Sequence, residues 1–461
     1  MPPLHVQTPA NNTVTFRTVG CRLNQCETAQ MEAALLVAGF RLVEWYEHAD
    51  VRVVNTCTVT ARSDRTCRHE IHLAKRLDPD CLLAVTGCFA QVAPESVAAI
   101  PGVDLVLGNP DKQRLAEHLA VSLGARSAGS TVAVSPYPEH PYFESQLFAH
   151  FRGHTRAFLK IQTGCDSQCA YCIVPLARGP ARSMPRAAVL EQVDLLGAKG
   201  YREIVLTGID LGSWGQDRDE GTLADLLALL VDREAPSRDR PAGQGASRYR
   251  LSSIEPLGVD DALVDVVERS SERVARHFHL PLQSGSDAVL RRMGRPYSAA
   301  QYLEVANALA RRLPDAALGA DVMVGFPGET EREFEETLSL VESSPLTYLH
   351  VFAYSDRPGA RAATMEPKLP PEMIQERSER MRSLGASKKA AFRGRLVGTV
   401  QRALVLKDRW ADGRPLGLTG NYMEVLVGSD DTLVNHFALV RLERARPDGR
   451  WETTLLGSEE A

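Results

Sequence analysis

Three cysteines stand close together in Gly164-Cys165-Asp166-Ser167-Gln168-Cys169-Ala170-Tyr171-Cys172, a C-x3-C-x2-C spacing. Three thiolates on one tight loop can hold three irons of a 4Fe–4S cluster and leave the fourth iron without a protein ligand. An open metal position is where a substrate or cosubstrate binds. A structural zinc site is the competing reading. It needs a fourth ligand from elsewhere and commonly takes two separated pairs. The apolar run before the loop reads as a strand that would deliver it.

A second set of cysteines depends on the elements around it. Over residues 12–123 the apolar runs 14–19, 51–55, 82–86 and 103–107 read as short buried strands. The segments 27–37, 61–76 and 111–123 read as helices. Strand–helix alternation predicts a parallel sheet, and such sheets bind ligands beyond the carboxyl ends of their strands. Cys21, Cys57 and Cys88 each follow one of the first three strands and each neighbours Gly or Thr. They could converge, and a second 4Fe–4S cluster with an open iron fits them. Three free loop cysteines are the alternative. Cys81, at the opposite end of the third strand, and Cys67, inside a helix, read as structural. Cys26, at a helix start, is open to either reading.

Residues 151–385 carry six further strand patterns, 157–163, 202–208, 248–254, 277–282, 317–325 and 347–354, separated by helical patterns. Six units are too few for a closed eight-stranded barrel. The expectation is an open, partial TIM barrel with its active site at the carboxyl-terminal mouth. Thr330 and Glu333 read as a capping box. Glu329 reads as support for that helix start. His277 and His279 share one face of a strand and read first as satisfied barrel histidines. Arg178, Arg182 and Arg186 either clamp an anion at the mouth or form a solvated basic stretch. A long helix over 371–395 precedes short strands at 397–406, 421–426, 434–442 and 453–456, which suggest a small β-barrel over residues 388–457. Residues 124–150 read as a linker, and the Pro/Gly/Ser-rich 234–247 as a mobile surface insertion.

The chain has 461 residues, nine cysteines and a net charge of −5. No apolar run reaches membrane-span length and no secretory pattern opens the sequence, so a cytoplasmic protein is expected. Cysteines in such a chain point to metal or catalysis rather than disulfides. The charge gives no global case for nucleic acid. From Lys388 onward, 12 Lys and Arg stand against 10 Asp and Glu, a weak electrostatic footprint.

The loop of Cys165, Cys169 and Cys172, with Tyr171 before the last cysteine, resembles the radical S-adenosylmethionine (SAM) enzymes. In those enzymes SAM chelates the open iron and is cleaved reductively. Thr419-Gly420-Asn421-Tyr422-Met423-Glu424-Val425 resembles the RNA-binding TRAM module. Together with the Cys21, Cys57 and Cys88 strings, these make nearly the whole chain similar to the methylthiotransferase family. The resemblance implies three domains: 12–123 with an auxiliary cluster, 151–385 as the radical SAM core and 388–457 as TRAM. It implies two 4Fe–4S clusters and two uses of SAM, one to methylate a sulfur and one to activate the substrate carbon. Cys165, Cys169 and Cys172 would be the catalytic metal ligands. Gly208 lies in a loop similar to the family's loop beside the SAM amino group. Gln283, Ser286 and Asp321 are the candidate SAM contacts, with helix capping as their alternative.

Gly20–Thr28, Ser253–Pro256 and Leu349–Ser355 look most like the bacterial branch that modifies threonylcarbamoyladenosine beside the tRNA anticodon. The implied partners are a tRNA anticodon stem-loop and an electron donor such as flavodoxin or ferredoxin, with the chain a monomer. Cys26 stands where that branch commonly has tyrosine, Ala360 where it has threonine, and Met184 where the family often has arginine. The isopentenyladenosine branch, the branch acting on a ribosomal-protein aspartate, and a non-catalytic iron–sulfur RNA-binding sensor are the alternatives.

Overall fold

Six parallel strands, in the order β2-β1-β3-β4-β5-β6, form the amino-terminal sheet. They are β1 (Thr13–Thr18), β2 (Arg41–Leu42), β3 (Val51–Thr56), β4 (Leu82–Gly87), β5 (Leu105–Leu107) and β6 (Thr131–Ala133). The computed structural model describes residues 12–124, 129–138, 142–143, 147–233, 248–270, 272–428 and 431–458. Every residue of β3 and β4 is buried, as central parallel strands covered on both faces must be. The helices α1 (Arg22–Val37), α2 (Ala61–Leu77), α3 (Cys88–Val92), α4 (Pro94–Ala98) and α5 (Leu115–Gly124) return the chain between strands. The Thr60 side chain caps α2 by accepting from the Ser63 N–H.

The expected linker 124–150 needs correction. Its residues Thr131–Ala133 are β6, paired in parallel with β5. The Ser135 hydroxyl then donates to Asp111 at 2.7 Å. A three-residue edge strand after Gly129-Ser130 is too short to show a period. The expected insertion 234–247 lies outside the described residues.

The central domain is the expected open arc. One three-stranded sheet runs β11-β10-β7, with β7 (Ala157–Lys160), β10 (Glu203–Thr207) and β11 (Arg248–Leu251). Another runs β12-β13-β14, with β12 (His277–His279), β13 (Ala317–Val324) and β14 (Tyr348–Ala353). Bridges Tyr249–Val274 and Ser253–His279 join the two into six parallel strands. A short hairpin, β8 (Gln162–Thr163) with β9 (Arg182–Ser183), flanks the first cysteine loop. Between them lies α6 (Val174–Arg178). Helices α7 (Arg186–Ala198), α8 (Leu223–Arg233), α9 (Asp261–Arg269), α10 (Asp287–Met293), α11 (Ala299–Arg312) and α12 (Glu331–Ser343) cover the arc. The Thr330–Glu333 capping box is formed on both sides. Glu329 accepts from the Gly325 N–H and pairs with buried Arg377, so it supports the turn before that helix.

After α13 (Pro371–Leu396), five strands close the small barrel in the order β15-β16-β17-β19-β18. They are β15 (Val400–Arg409), β16 (Pro415–Thr419), β17 (Glu424–Leu426), β18 (Phe437–Ala445) and β19 (Trp451–Ser458). The second of these was not expected from sequence: its five residues open on Pro415 and carry Gly417 at their centre, both poor strand signals. Part of the hold on this barrel is through its backbone. Arg248 donates to the Leu418 carbonyl, and Arg250 to those of Thr419 and Gly420, each near 2.9 Å. Both arginines share the fully buried Glu203. The string that carries the TRAM resemblance therefore faces the core: Thr419 and Asn421 are buried, and Asn421 donates to the Asp315 carbonyl.

Candidate functional site

The Cys165–Cys172 loop leaves β8 through Gly164, whose φ is +72°. A Cβ there would lie 1.9 Å from the Pro180 carbonyl oxygen, so only glycine fits this departure. Distant backbone then holds the loop. The Ala170 N–H donates to the Met293 carbonyl and the Ala362 N–H to the Ala170 carbonyl, both at 2.8 Å. The cysteines are half-buried. Amide donors already point at two sulfurs: Ser167 N–H at Cys165 Sγ (3.4 Å) and Val174 N–H at Cys172 Sγ (3.5 Å). Burial pushes the Cys172 thiol up to about 12. A metal ion is what would hold such a group as thiolate, since coordination deprotonates a thiol outright. Three convergent sulfurs, each half-open on one loop, with N–H donors aimed at them, fit a cluster with an open iron.

Sequence reasoning missed Arg295. Its guanidinium donates to Cys169 Sγ at 3.2 Å, pairs with Glu255 and reaches Tyr297 Oη at 3.1 Å. Arg295 lies in the turn after α10, more than a hundred residues from the cysteines. Only the string Arg291-Arg292-Met293-Gly294-Arg295, basic residues ending a helix, hinted at it. Burial raises Glu255 against the opposing pull of Arg295.

The amino-terminal trio gathers as the sheet topology predicts. Cys21 follows β1, Cys57 follows β3 and Cys88 follows β4, adjacent strands of one parallel sheet. Gly87, at φ +101°, makes the last turn; a Cβ there would lie 2.3 Å from the Thr56 carbonyl oxygen. Gly20 packs directly on the Cys57 side chain. Burial pushes the Cys57 thiol up to about 11, and Cys88 and Cys21 lie near enough to push it further. Of the other cysteines, Cys67 exchanges hydrogen bonds with the Cys57 backbone at 3.3 Å and braces that loop. Cys26 is fully buried, its sulfur accepting from the Lys160 N–H at 3.4 Å.

The two readings offered for the arginines after the first loop both need correction. Arg178 and Arg182 are neither solvated nor free clamps. Arg178 is buried and binds Asn24 (2.6 Å) and Glu27 (2.7 Å) of α1. Arg182 is buried and donates to the Arg178 carbonyl at 2.7 Å. Only Arg186 is exposed. Their burial depends on partners remote in sequence. Met184 is buried too, with its carbonyl accepting from the Trp214 ring N–H.

At the barrel mouth, the loop through Gly208 wraps around Gln162, whose Oε1 accepts from the Ile209 and Asp210 N–H groups at 2.8 Å. Gln283 is held at φ +64° between the Asp321 carbonyl and the Met323 N–H. Strain of this kind in a non-glycine residue concentrates at functional sites. Asp321 sits between His279 Nε2 (3.2 Å) and His350 Nδ1 (3.4 Å). Burial opposes its charge, yet the two histidines beside it hold its carboxyl down at about 2. Ser253 Oγ orients the other nitrogen of His279 at 2.8 Å. His277 Nε2 meets Tyr348 Oη at 2.7 Å, but its buried Nδ1 has no hydrogen-bond partner among the described residues, so this is only half of the satisfied barrel histidine expected. Ser286 is not brought into this group. Its hydroxyl is committed to Glu336 of α12 at 2.5 Å.

Residues 159–341 match the Radical SAM superfamily, and residues 13–108 match an uncharacterized protein family, UPF0004. Over 413 residues the chain is 38% identical to the threonylcarbamoyladenosine tRNA methylthiotransferase MtaB of Aquifex aeolicus (strain VF5), covering 89% of this chain and 96% of that protein. It is 36% identical to the same-named protein of Bacillus subtilis (strain 168), covering 94% of each. A tRNA-2-methylthio-N(6)-dimethylallyladenosine synthase of Symbiobacterium thermophilum is 34% identical, covering 95% of this chain and 93% of that one. Among solved structures, the radical SAM methyltransferase TsrM from Kitasatospora setae superposes with a TM-score of 0.57 at 16% identity, over 80% of this chain and 82% of that one. That likeness is one of fold.

Proposed function

The chain belongs to the radical SAM tRNA methylthiotransferase family, and from that premise we propose that it adds a methylthio group at carbon 2 of threonylcarbamoyladenosine, at position 37 of tRNA. The observation that carries this reading is the similarity to four MtaB proteins at 34–38% identity over 84–94% of the chain. When bound, two 4Fe–4S clusters and SAM supply the radical and the sulfur transfer that no side chain can provide.

The chain's own residues hold and orient. Cys165, Cys169 and Cys172 are the ligands of the SAM-binding cluster, and Cys21, Cys57 and Cys88 those of the auxiliary one. Arg295 fixes Cys169 against Glu255. The Gly208 loop, Gln283 and Asp321 line the mouth where SAM and the adenine meet. Ser286 positions α10 rather than touching SAM. His350 is exposed, with Nδ1 tied to Asp321, and presents its other nitrogen to the substrate base. The small barrel contributes RNA contacts from its outward strands, since its TRAM-like string is occupied by docking. Arg441 and Arg444 are exposed there. Among the described residues no helix is long and apolar enough to cross a membrane. The enzyme acts as a cytoplasmic monomer reduced by a flavodoxin or ferredoxin.

The test is anaerobic reconstitution with SAM, reductant and tRNA carrying threonylcarbamoyladenosine, followed by mass spectrometry of the nucleosides. A methylthio product is expected. SAM cleavage without product, and product from isopentenyladenosine tRNA instead, overturns the substrate. Absence of cleavage with clusters intact overturns the enzyme and favours an iron–sulfur RNA-binding protein.

A further inference from the structure

Four charged side chains meet in the seam between the amino-terminal sheet and the barrel. They are Glu27 from α1, Lys112 from the turn before α5, Lys160 from the end of β7 and Arg178 from the end of α6. Glu27, Lys112 and Lys160 are each 6% exposed and Arg178 is 2% exposed. Glu27 accepts from Lys112 at 2.6 Å, from Arg178 at 2.7 Å and from Lys160 at 3.2 Å. Burial works against its charge, and Arg178, Lys112 and Lys160 still hold it well below the usual carboxylate range. Among the described residues, Glu27 is the one carboxylate paired with any of the three cations. The cluster thus sets three cationic side chains against one carboxylate, out of water, and burial works against the Lys112 charge in spite of the pull of Glu27. An uncompensated buried charge costs several kcal/mol, so an excess of this size calls for an anion beside it.

The surrounding contacts say where that anion belongs. Asn24 Oδ1, which accepts from Arg178 at 2.6 Å, lies 4.0 Å from Cys21 Sγ. Asn109 Nδ2 donates to the Ala177 carbonyl at 2.6 Å and lies 3.9 Å from Cys88 Sγ. Asn24 Nδ2 also donates to the Thr56 carbonyl, just before Cys57, at 2.9 Å. The Arg178 guanidinium therefore stands one side chain away from Cys21, and the backbone just before it one side chain away from Cys88. Three thiolates outweigh the charge of a 4Fe–4S core, and reduction adds one more negative charge.

We infer that Arg178, Lys112 and Lys160, gathered on Glu27, are a buried cationic hub that balances the negative charge of the auxiliary cluster and raises its reduction potential. This rests on the auxiliary-cluster reading above. The hub residues are positioning and charge-balancing groups, not catalytic ones. Arg178 also ends the helix that leaves the other cysteine loop, so one guanidinium ties the two metal-binding loops together.

The experiment uses the full chain with Cys165, Cys169 and Cys172 all changed to Ala, so that iron is left to the amino-terminal trio alone. Its redox titration is followed by electron paramagnetic resonance, with and without Lys112→Met. At a fixed ambient potential the reduced-to-oxidised ratio is expected to fall about tenfold, a drop of about 60 mV for one electron. Arg178→Lys keeps the charge and is expected to stay within about threefold of the parent. Melting supplies a second readout. Lys112→Met should raise Tm in the cluster-free chain, where it removes an uncompensated charge, and lower it in the loaded chain. Lys160→Met gives both readouts if Lys112→Met does not fold. An unchanged midpoint potential overturns the inference, whatever the melting shows. Failure of the triple-Ala chain to bind any cluster overturns the auxiliary-cluster reading, and the hub with it.

Discussion

On the proposed reading, the two cysteine trios solve the same problem by opposite means. Cys165, Cys169 and Cys172 come from one loop, and their relative positions follow from a few backbone angles set at Gly164. Cys21, Cys57 and Cys88 come from three separate strand ends, and only the parallel order of β1, β3 and β4 brings them together. The first trio is half-buried throughout; in the second, Cys57 and Cys88 are buried and Cys21 is exposed. A local trio keeps its spacing through damage to the amino-terminal sheet, and depends elsewhere on Met293, Arg295 and Ala362, which hold its loop. A topological trio inherits every perturbation of its sheet.

The widest separation between the two should appear on removing one ligand from each. Cys169→Ala is expected to abolish SAM cleavage to 5′-deoxyadenosine. Cys88→Ala should keep at least about a tenth of it while losing all methylthio product, because the proposed function divides the cofactor chemistry between the two sites. Equal cleavage in the two variants would collapse the division.

Glycine replacements probe the same contrast through the backbone. Gly87→Ala forces a Cβ against β3 and should cost about 3 kcal/mol in denaturant unfolding, with auxiliary iron lost. Gly164→Ala should lose the other iron with a smaller effect on unfolding of the amino-terminal sheet. Full iron content in both proteins would contradict the idea that these turns place the ligands.

A smaller effect is expected from Arg295→Lys. The charge remains, but the fork spanning Cys169 and Glu255 is lost, so SAM cleavage should slow about tenfold with auxiliary iron untouched. Cleavage at the parent rate would make Arg295 a packing residue only. Smallest of all, His350→Leu should cut methylthio transfer about fivefold, the loss of one hydrogen bond, and leave SAM cleavage unchanged. A parallel fall in both rates would move His350 from the substrate to SAM.

What could be read from the sequence follows the same local–topological divide. The Cys165–Cys172 loop is legible because spacing alone defines it, and the Thr330–Glu333 box because a cap needs only four residues. Convergence of Cys21, Cys57 and Cys88 was legible at one remove, through the rule that parallel strand ends share an edge of the sheet. Arg295 was not, since nothing in its own turn relates it to Cys169. Arg178 was misread because the burial of a charge is decided by its partner, and Glu27 lies 151 residues away. β6 and β16 were missed because one is three residues long and the other carries Pro415 and Gly417. The TRAM-like string was recognisable as a string, but its orientation toward the core depends on Arg248 and Arg250.

That last contact has an evolutionary corollary. Arg248 and Arg250 grip carbonyl oxygens, which every residue type presents, so this part of the attachment tolerates side-chain drift on the barrel, while Asn421, Tyr422 and Phe437 hold theirs through side chains. A further constraint falls on the other partner. Glu203, Arg248 and Arg250 form a sealed charge set whose spare donors are satisfied only while the barrel is present. A lineage that discarded the barrel would have to replace these arginines in the same step, and descendants that kept one without the other should be rare.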